Sequence, residues 1–144
     1  MEDCSVHSLI CDVAVLAEGG VLLVRYQDLA KYDGEGGWFL PDDPLRHFEH
    51  PTRAAKRILQ EQVGLEVEDD PRLGLIESFQ GDDGSWHMSF HHQVDLPVVP
   101  AIRPGPDVAA AEWFSLDALP PRSEVAHHGW AISVLKKMIG APAR

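Results

Sequence analysis

Residues 36–65, GGWFLPDDPLRHFEHPTRAAKRILQEQVGL, constrain this chain more than any other stretch. Pro51 suits the first turn of a helix, where its missing N–H leaves nothing unpaired. Ala54, Ala55, Ile58, Leu59 and Val63 then recur at helical spacing. Gly64 is suited to the left-handed position that ends a helix, and His50 holds the N-cap slot, where it is a weaker cap than Ser or Asp. The segment therefore predicts a short strand at 38–40 stopped by Pro41, an acidic loop, and a helix over 51–63. Positions 58 and 62 are one turn apart on a single helix face, with position 61 beside them.

This stretch resembles the Nudix box, G-x5-E-x7-R-E-U-x-E-E-x-G-U, where U is a bulky aliphatic. The register holds throughout. Asp43 stands at the first Gly, Glu49 at the loop Glu, Arg57 at the Arg, Leu59 at the first U, Glu61 at the first Glu of the pair, and Gly64-Leu65 at the end. The departures are Ile58 for the Glu after the Arg, Gln62 for the second Glu of the pair, and Asp42 and Asp43 where glycines are usual. The resemblance implies an α/β fold, a Nudix-like α/β/α sandwich with a mixed curved sheet between helices.

The rest of the chain fits that order. Residues 9–16 and 21–26 read as a hairpin around Glu18-Gly19-Gly20, and 27–37 as a loop. Residues 72–80 and 86–96 read as a second hairpin about a tight turn at 81–85. Residues 97–106 hold four prolines and read as a loop. A strand runs into a turn over 112–120, EWFSLDALP, similar to a segment common late in Nudix domains. A final amphipathic helix is predicted over 124–139, with Ala126, Trp130, Val134 and Ile139 facing the core and 140–144 frayed. No repeat interrupts the 144 residues, so one domain is expected, its core about 9–139.

The net charge of −11 would repel duplex nucleic acid, and the densest basic group (Arg46, Arg53, Lys56, Arg57) lies inside the box. No apolar run approaches the ~20 residues that span a bilayer, and the N-terminus lacks a signal-peptide pattern. A cytoplasmic protein with reduced thiols is expected, a Cys4–Cys11 disulfide being the alternative. A small phosphate-containing ligand is the expected partner, with no duplex nucleic acid and no membrane; a homodimer is left open.

The resemblance implies hydrolysis of a nucleoside diphosphate linked to another group, with Mg²⁺ or Mn²⁺ held by box carboxylates against the pyrophosphate. Of the three usual glutamates on the helix, Glu61 remains. Gln62 can offer only a neutral carbonyl oxygen, and Ile58 offers nothing. Weak metal binding at the usual site follows. Glu61, Gln62, Asp43 and Asp107 are the candidate ligands, with Asp42 and Glu112 beside them; solvated loop acids are the other reading. Glu61, Arg57 and Glu49 carry over as catalytic-site positions, Arg57 and Glu49 as a bracing ion pair. Arg25 could meet a phosphate. Trp38, Phe79, Trp86 and Phe90 could form a stacking wall or simply be core. His87 and His91 share one face of a strand and could bind a transition metal with a third ligand, or line a groove. His47 and His50 flank Glu49 and could reach phosphate or metal, or stand exposed. Two functions remain: a hydrolase with a degenerate, slow metal site, and a silent module binding a nucleotide-like ligand or a protein partner.

Overall fold

The computed structural model describes residues 8–32, 34–81 and 84–139. Cys4, His7, residues 82–83 of the expected turn and the 140–144 tail lie outside them.

Among the described residues six strands and two α-helices follow in the order β1 (Ser8–Ala17), β2 (Gly20–Tyr26), β3 (Asp42–Pro44), α1 (Pro51–Val63), β4 (Arg72–Gln80), β5 (Trp86–Leu96), β6 (Val108–Ser115) and α2 (Ala126–Ile139). The sheet runs β4-β5-β1-β2-β6, with β3 paired to β1. β1 and β5 are parallel, from Ser8↔His87 to Ala17↔Leu96. The other pairs are antiparallel, so the sheet is mixed.

Alternation along β1 decides what lies on each face. Cys11, Val13 and Val15 pack with Ala54, Ala55, Ile58, Leu59 and Val63 of α1. Ala14 packs with Ala131, Ile132, Val134 and Leu135 of α2. The result is the expected sheet flanked by helices. β1 reads as near-continuous apolar because both its faces are covered.

Five local features differ from what the sequence predicts. The strand expected at 38–40 is reduced to single bridges, Val24↔Phe39 and Trp38↔Val125. The acidic DDP triplet, expected as loop, forms β3 by pairing Cys11↔Asp43 and Asp12↔Asp42; tertiary pairing overrides a poor strand propensity. β6 begins at Val108, four residues early, because β2 offers it a partner down to Tyr26. α2 starts at Ala126, but His127, His128 and Gly129 have φ of 53°, 57° and 86°, so its regular turns begin beyond them. Ile139, expected in the core, is 41% exposed.

α1 is closed at both ends as its sequence suggests. His50 Nδ1 accepts from the Thr52 amide at 3.1 Å. Gly64, at φ 66°, bonds back to Gln60 and Leu59. A Cβ there would stand 2.9 Å from Arg103 Cβ, so glycine is required for space as well as conformation. The proline-rich loop then takes up carbonyls of the last helical turn, Arg103 N to Val63 O at 2.9 Å and Gly105 N to Gln62 O at 2.8 Å. That contact carries Asp107 towards the box.

Candidate functional site

Arg57 is the hub of the box. Its Nε and Nη2 donate to the two oxygens of Glu49 at 2.8 and 2.9 Å. Nη1 donates to Asp43 at 2.9 Å and to Glu61 at 3.2 Å. Three carboxylates thus converge on one guanidinium whose side chain is only 11% exposed. The Arg57 hydrogen bond holds Glu49 below the usual carboxylate range. Glu49, Asp43 and Glu61, its bonding partners, hold the guanidinium proton more tightly than usual. Glu61 is shared a second time, with Arg46 Nη2 at 3.0 and 3.1 Å.

Gln62 is placed differently. It is 6% exposed, and both ends of its amide are hydrogen-bonded. Nε2 donates to the Asp42 backbone carbonyl at 2.7 Å, Oε1 accepts from the Tyr26 hydroxyl at 2.8 Å, and the Asp42 amide donates to that same hydroxyl at 2.9 Å. The ring is closed, and its polarity is unambiguous. A carbonyl can only accept, so the NH₂ must face Asp42, which leaves Oε1 to the hydroxyl. Tyr26 stacks on Tyr32, centroids 3.5 Å apart, and burial raises its hydroxyl pKa.

These donors do not fit a divalent cation as they stand. Ile58 is fully buried in the α1 core. Gln62 turns its nitrogen, not its oxygen, to the Asp42 carbonyl. Asp43, Glu49 and Glu61 are each paired with Arg57, and Glu61 with Arg46 as well, so three acids share two guanidiniums. Asp107 pairs with Lys31 at 3.5 Å. Among the described residues no three His, Cys, Asp or Glu side chains are grouped to hold a metal ion. The structure therefore brings Glu61, Arg57, Glu49 and Asp43 together and draws Gln62 into a separate hydrogen-bonded ring.

Two cavities meet at β3. The first, of about 570 Å³, is lined by Lys31, Asp43, Arg46, Arg57, Glu61 and Asp107 among others. Its three cations face three acids. The second, of about 460 Å³, lies on the α2 face and is lined by Glu35, Asp42, Phe79, His87, Ser89, His127 and Trp130 among others. Asp42 lines one cavity and its neighbour Asp43 the other, as strand alternation requires. Phe79 stacks on His87, centroids 5.2 Å apart, and His87 Nε2 lies 2.7 Å from Ser85 Oγ. Neither cavity is lined by Arg25 or Trp38. Trp38 is buried in the α2 core, and the Arg25 guanidinium sits 4.4 Å above its ring. Trp86 and Phe90, the other candidates for a stacking wall, also lie outside both linings. His50 caps α1; His47 packs on Phe48, which is 94% exposed.

A second ionic cluster escaped the sequence reading. His91 and Asp12 are both fully buried, His91 Nδ1 lying 2.6 Å from Asp12 Oδ2. His91 Nε2 donates to Glu77 at 2.8 Å, and Glu77 accepts from Lys137 Nζ at 2.6 Å. β1, β4, β5 and α2 are thereby tied at one point. Burial alone would push His91 down; the hydrogen bonds and charges of Asp12 and Glu77 outweigh it and raise its pKa. Burial raises Asp12, against the His91 bond. Both directions say that the pair holds its proton tightly. Among the described residues Asp12 Oδ1 has no partner. No spacing in the sequence joins positions 12, 77 and 91; the β1–β5 register, Asp12↔His91, and the β4–β5 register, Glu77↔Ser89, do so together.

The NUDIX domain model matches residues 7–134. The chain is 32% identical over 92 residues to Low-salt glycan biosynthesis protein Agl8 of Haloferax volcanii, a stretch that is 59% of this chain and spans 56% of that relative's length. It is similar in fold to a MutT NUDIX hydrolase from Burkholderia pseudomallei (TM-score 0.74, 21% identity, 92% of this chain and 97% of that one). It is also similar to a C. elegans Ap4A hydrolase in a binary complex (TM-score 0.69, 13% identity, 90% and 93% covered). At these identities the structural likeness is one of fold. With the family match running almost end to end and the box in register, the chain belongs to the NUDIX domain family.

Proposed function

We propose that this protein binds a nucleotide-like, phosphate-containing ligand on a Nudix scaffold whose usual metal-dependent hydrolysis has been switched off. The observation that carries this reading is the closed ring of Gln62, Asp42 and Tyr26. A cation reaching the Asp42 carbonyl would first have to displace the Gln62 amide, and neither Ile58 nor Gln62 supplies an anionic oxygen there. The loss is of charge and of a base together; general-base help alone is typically worth about two to four orders of magnitude in rate.

The α2-face cavity supports retained binding. Phe79 and Trp130 offer apolar walls, while His87, Ser89, Asp42 and His127 offer donors and acceptors for the edges of a base or sugar. Across β3, Arg46, Arg57 and Lys31 are the groups that could meet phosphate, once freed from their acids. The similarity to a protein named for glycan biosynthesis favours a sugar as the group linked to the diphosphate.

A second reading is a slow hydrolase that works from the α2-face cavity. It is favoured by His127, held at φ 53° in a left-handed run and lining that cavity. Backbone strain of this kind gathers at functional sites. One experiment separates the two. Hydrolysis of a nucleoside-diphosphate panel is measured with Mg²⁺ and Mn²⁺, for the natural chain, for Ile58→Glu with Gln62→Glu, and for His127→Ala. Binding of the same panel is followed by calorimetry. The expected result is ligand binding without turnover by the natural chain, and turnover gained in the double variant. Turnover by the natural chain that His127→Ala abolishes would establish the hydrolase instead.

A further inference from the structure

The α1-facing side of the sheet is only partly covered. α1 lies over β1, β3, β5 and β6, while β4 is an edge strand beyond it. Register assigns the residues there. Leu9 pairs with Met88, Cys11 with Phe90, and Val13 with His92, so these share the face of the α1 core. Across the hairpin, Leu73 pairs with His92, Ile76 with Phe90, Ser78 with Met88 and Gln80 with Trp86, on that same face. The Trp86 indole N–H donates to Ser78 Oγ at 2.7 Å, as neighbours on one face would.

Beyond α1, then, Leu9, Leu73, Ile76, Trp86, Met88 and Phe90 form one continuous apolar surface. Leu9, Leu73, Ile76 and Trp86 are 40–47% exposed. Ser78 and Gln80 are its polar members, and among the described residues of these pairs none is Asp, Glu, Lys or Arg. The two charges of β4 are disposed elsewhere: Arg72 pairs with Gln93 on the opposite face, and Glu77 points to that face too, to His91 and Lys137. Natural edge strands are commonly guarded by lysine or proline. β4, RLGLIESFQ, carries neither; its guards are the bulge between Leu73 and Leu75 and the inward-pointing Glu77, both of which leave this face uncharged.

We propose that this uncharged face is the docking surface for the same face of a second copy of the chain, giving a two-fold dimer. Charge decides the occupant. Each copy carries −11, so two copies repel wherever both present acids and meet at least cost where neither does. A neutral apolar patch is complementary to itself, which is what an isologous interface requires. A basic partner would be drawn to the acidic surfaces and an anionic bilayer repelled by them. The patch offers on the order of 400 Å² of apolar surface, about half of the 800 Å² per partner in a standard interface. Weak association is therefore expected, with a dissociation constant in the micromolar range or above.

The test is sedimentation velocity of the full chain from about 1 μM to about 1 mM, bracketing that range. The natural chain should pass from monomer to dimer. Ile76→Asp and Trp86→Asp, each at a surface position, should weaken association at least tenfold (a shift of about 1.4 kcal/mol or more). Val98→Asp, an exposed apolar position elsewhere (63% exposed), should leave association unchanged. Circular dichroism melts confirm that each variant is folded. Three results overturn the proposal: a monomer at the highest concentration, a dimer indifferent to both face variants, and binding of neutral lipid vesicles by a monomeric natural chain that Ile76→Asp abolishes.

Discussion

Arg57 and His91 are each ringed by carboxylates, one at the edge of a helix and one inside the sheet. Arg57 gathers Asp43, Glu49 and Glu61 at the protein surface, where water shares in the solvation of the acids. His91 holds Asp12 and Glu77 with its own side chain and that of Asp12 wholly buried. The first cluster belongs to the box and occupies the place where the family uses carboxylates for metal. The second has no counterpart in any motif and sits beneath the α2-face cavity, whose wall includes Ser89 and Ile10, each two residues from a cluster member. The contrast teaches where the molecule has committed its charges. At the box, arginine has taken the acids; in the sheet, a single proton is the glue.

The sharpest way to break this comparison is to remove one acid from the buried cluster. Asp12→Ala leaves His91 with half its counter-charge in a site closed to water. It should cost roughly 3–5 kcal/mol of stability, the range for unpairing a buried ion pair. Arg57→Ala leaves three acids facing one another, but water can enter. A smaller loss of about 1–3 kcal/mol is expected. Urea unfolding of both variants decides the order, and equal losses would mean that the box cluster is as dry as the sheet cluster.

The difference also explains what could be read in advance. The box was legible because its residues are local: a helix writes its own spacing, and positions 43, 49, 57 and 61 lie within two turns and one loop. The placing of Gln62 was not legible. Its role depends on Tyr26, thirty-six residues away, and on β3, a strand whose sequence argues against being one. His87 and His91 were rightly put on one strand face, yet the partners of His91 come from β1, β4 and α2, and pairing across a parallel register leaves no trace in local sequence. Arg25 and Trp38 look like ligand contacts in the sequence; their contact with each other is not legible there, because it depends on the bridge at Val24↔Phe39 that sets Trp38 beside β2.

Gln62→Glu sharpens the box side. A carboxylate would replace the amide nitrogen 2.7 Å from the Asp42 carbonyl, turning a hydrogen bond into a repulsion worth about 1–3 kcal/mol. A cation can relieve that repulsion by bridging the two oxygens. The melting temperature of Gln62→Glu should therefore fall, then rise with Mg²⁺ or Mn²⁺, while that of the natural chain stays flat. A natural chain that gains stability from either metal would contradict the proposed loss of the site.

The pH dependence separates the clusters next. The folded pKa of His91 lies above the ordinary value of about 6.5. Its contribution is thus fully present below 6.5 and lost as pH rises through the folded value, with a slope of at most about 1.4 kcal/mol per pH unit. His92, which burial pushes down, acts the other way but below 6.5. The buried Cys11 thiol adds a further loss only above its own ordinary range. The urea midpoint of the natural chain should accordingly decline above pH 6.5, and His91→Gln should remove most of that decline near neutrality. A midpoint that rises with pH there would mean that His91 is buried without its proton.

The smallest expected effect bears on function most directly. Arg25 is exposed and lies over Trp38, a contact worth about 0.5–1 kcal/mol at such a site. Neither residue lines either of the two cavities that meet at β3, so Arg25→Ala should lose that much stability and leave affinity for a phosphate ligand unchanged. Arg46→Ala makes the opposite case: its guanidinium lines the box cavity and, among the described residues, is bound to the exposed Glu61 side chain alone. It should change stability little, since exposed pairs contribute about 0–1 kcal/mol, and weaken phosphate binding. If Arg25 governs affinity and Arg46 does not, the ligand lies across β2, and the two cavities that meet at β3 are not its seat.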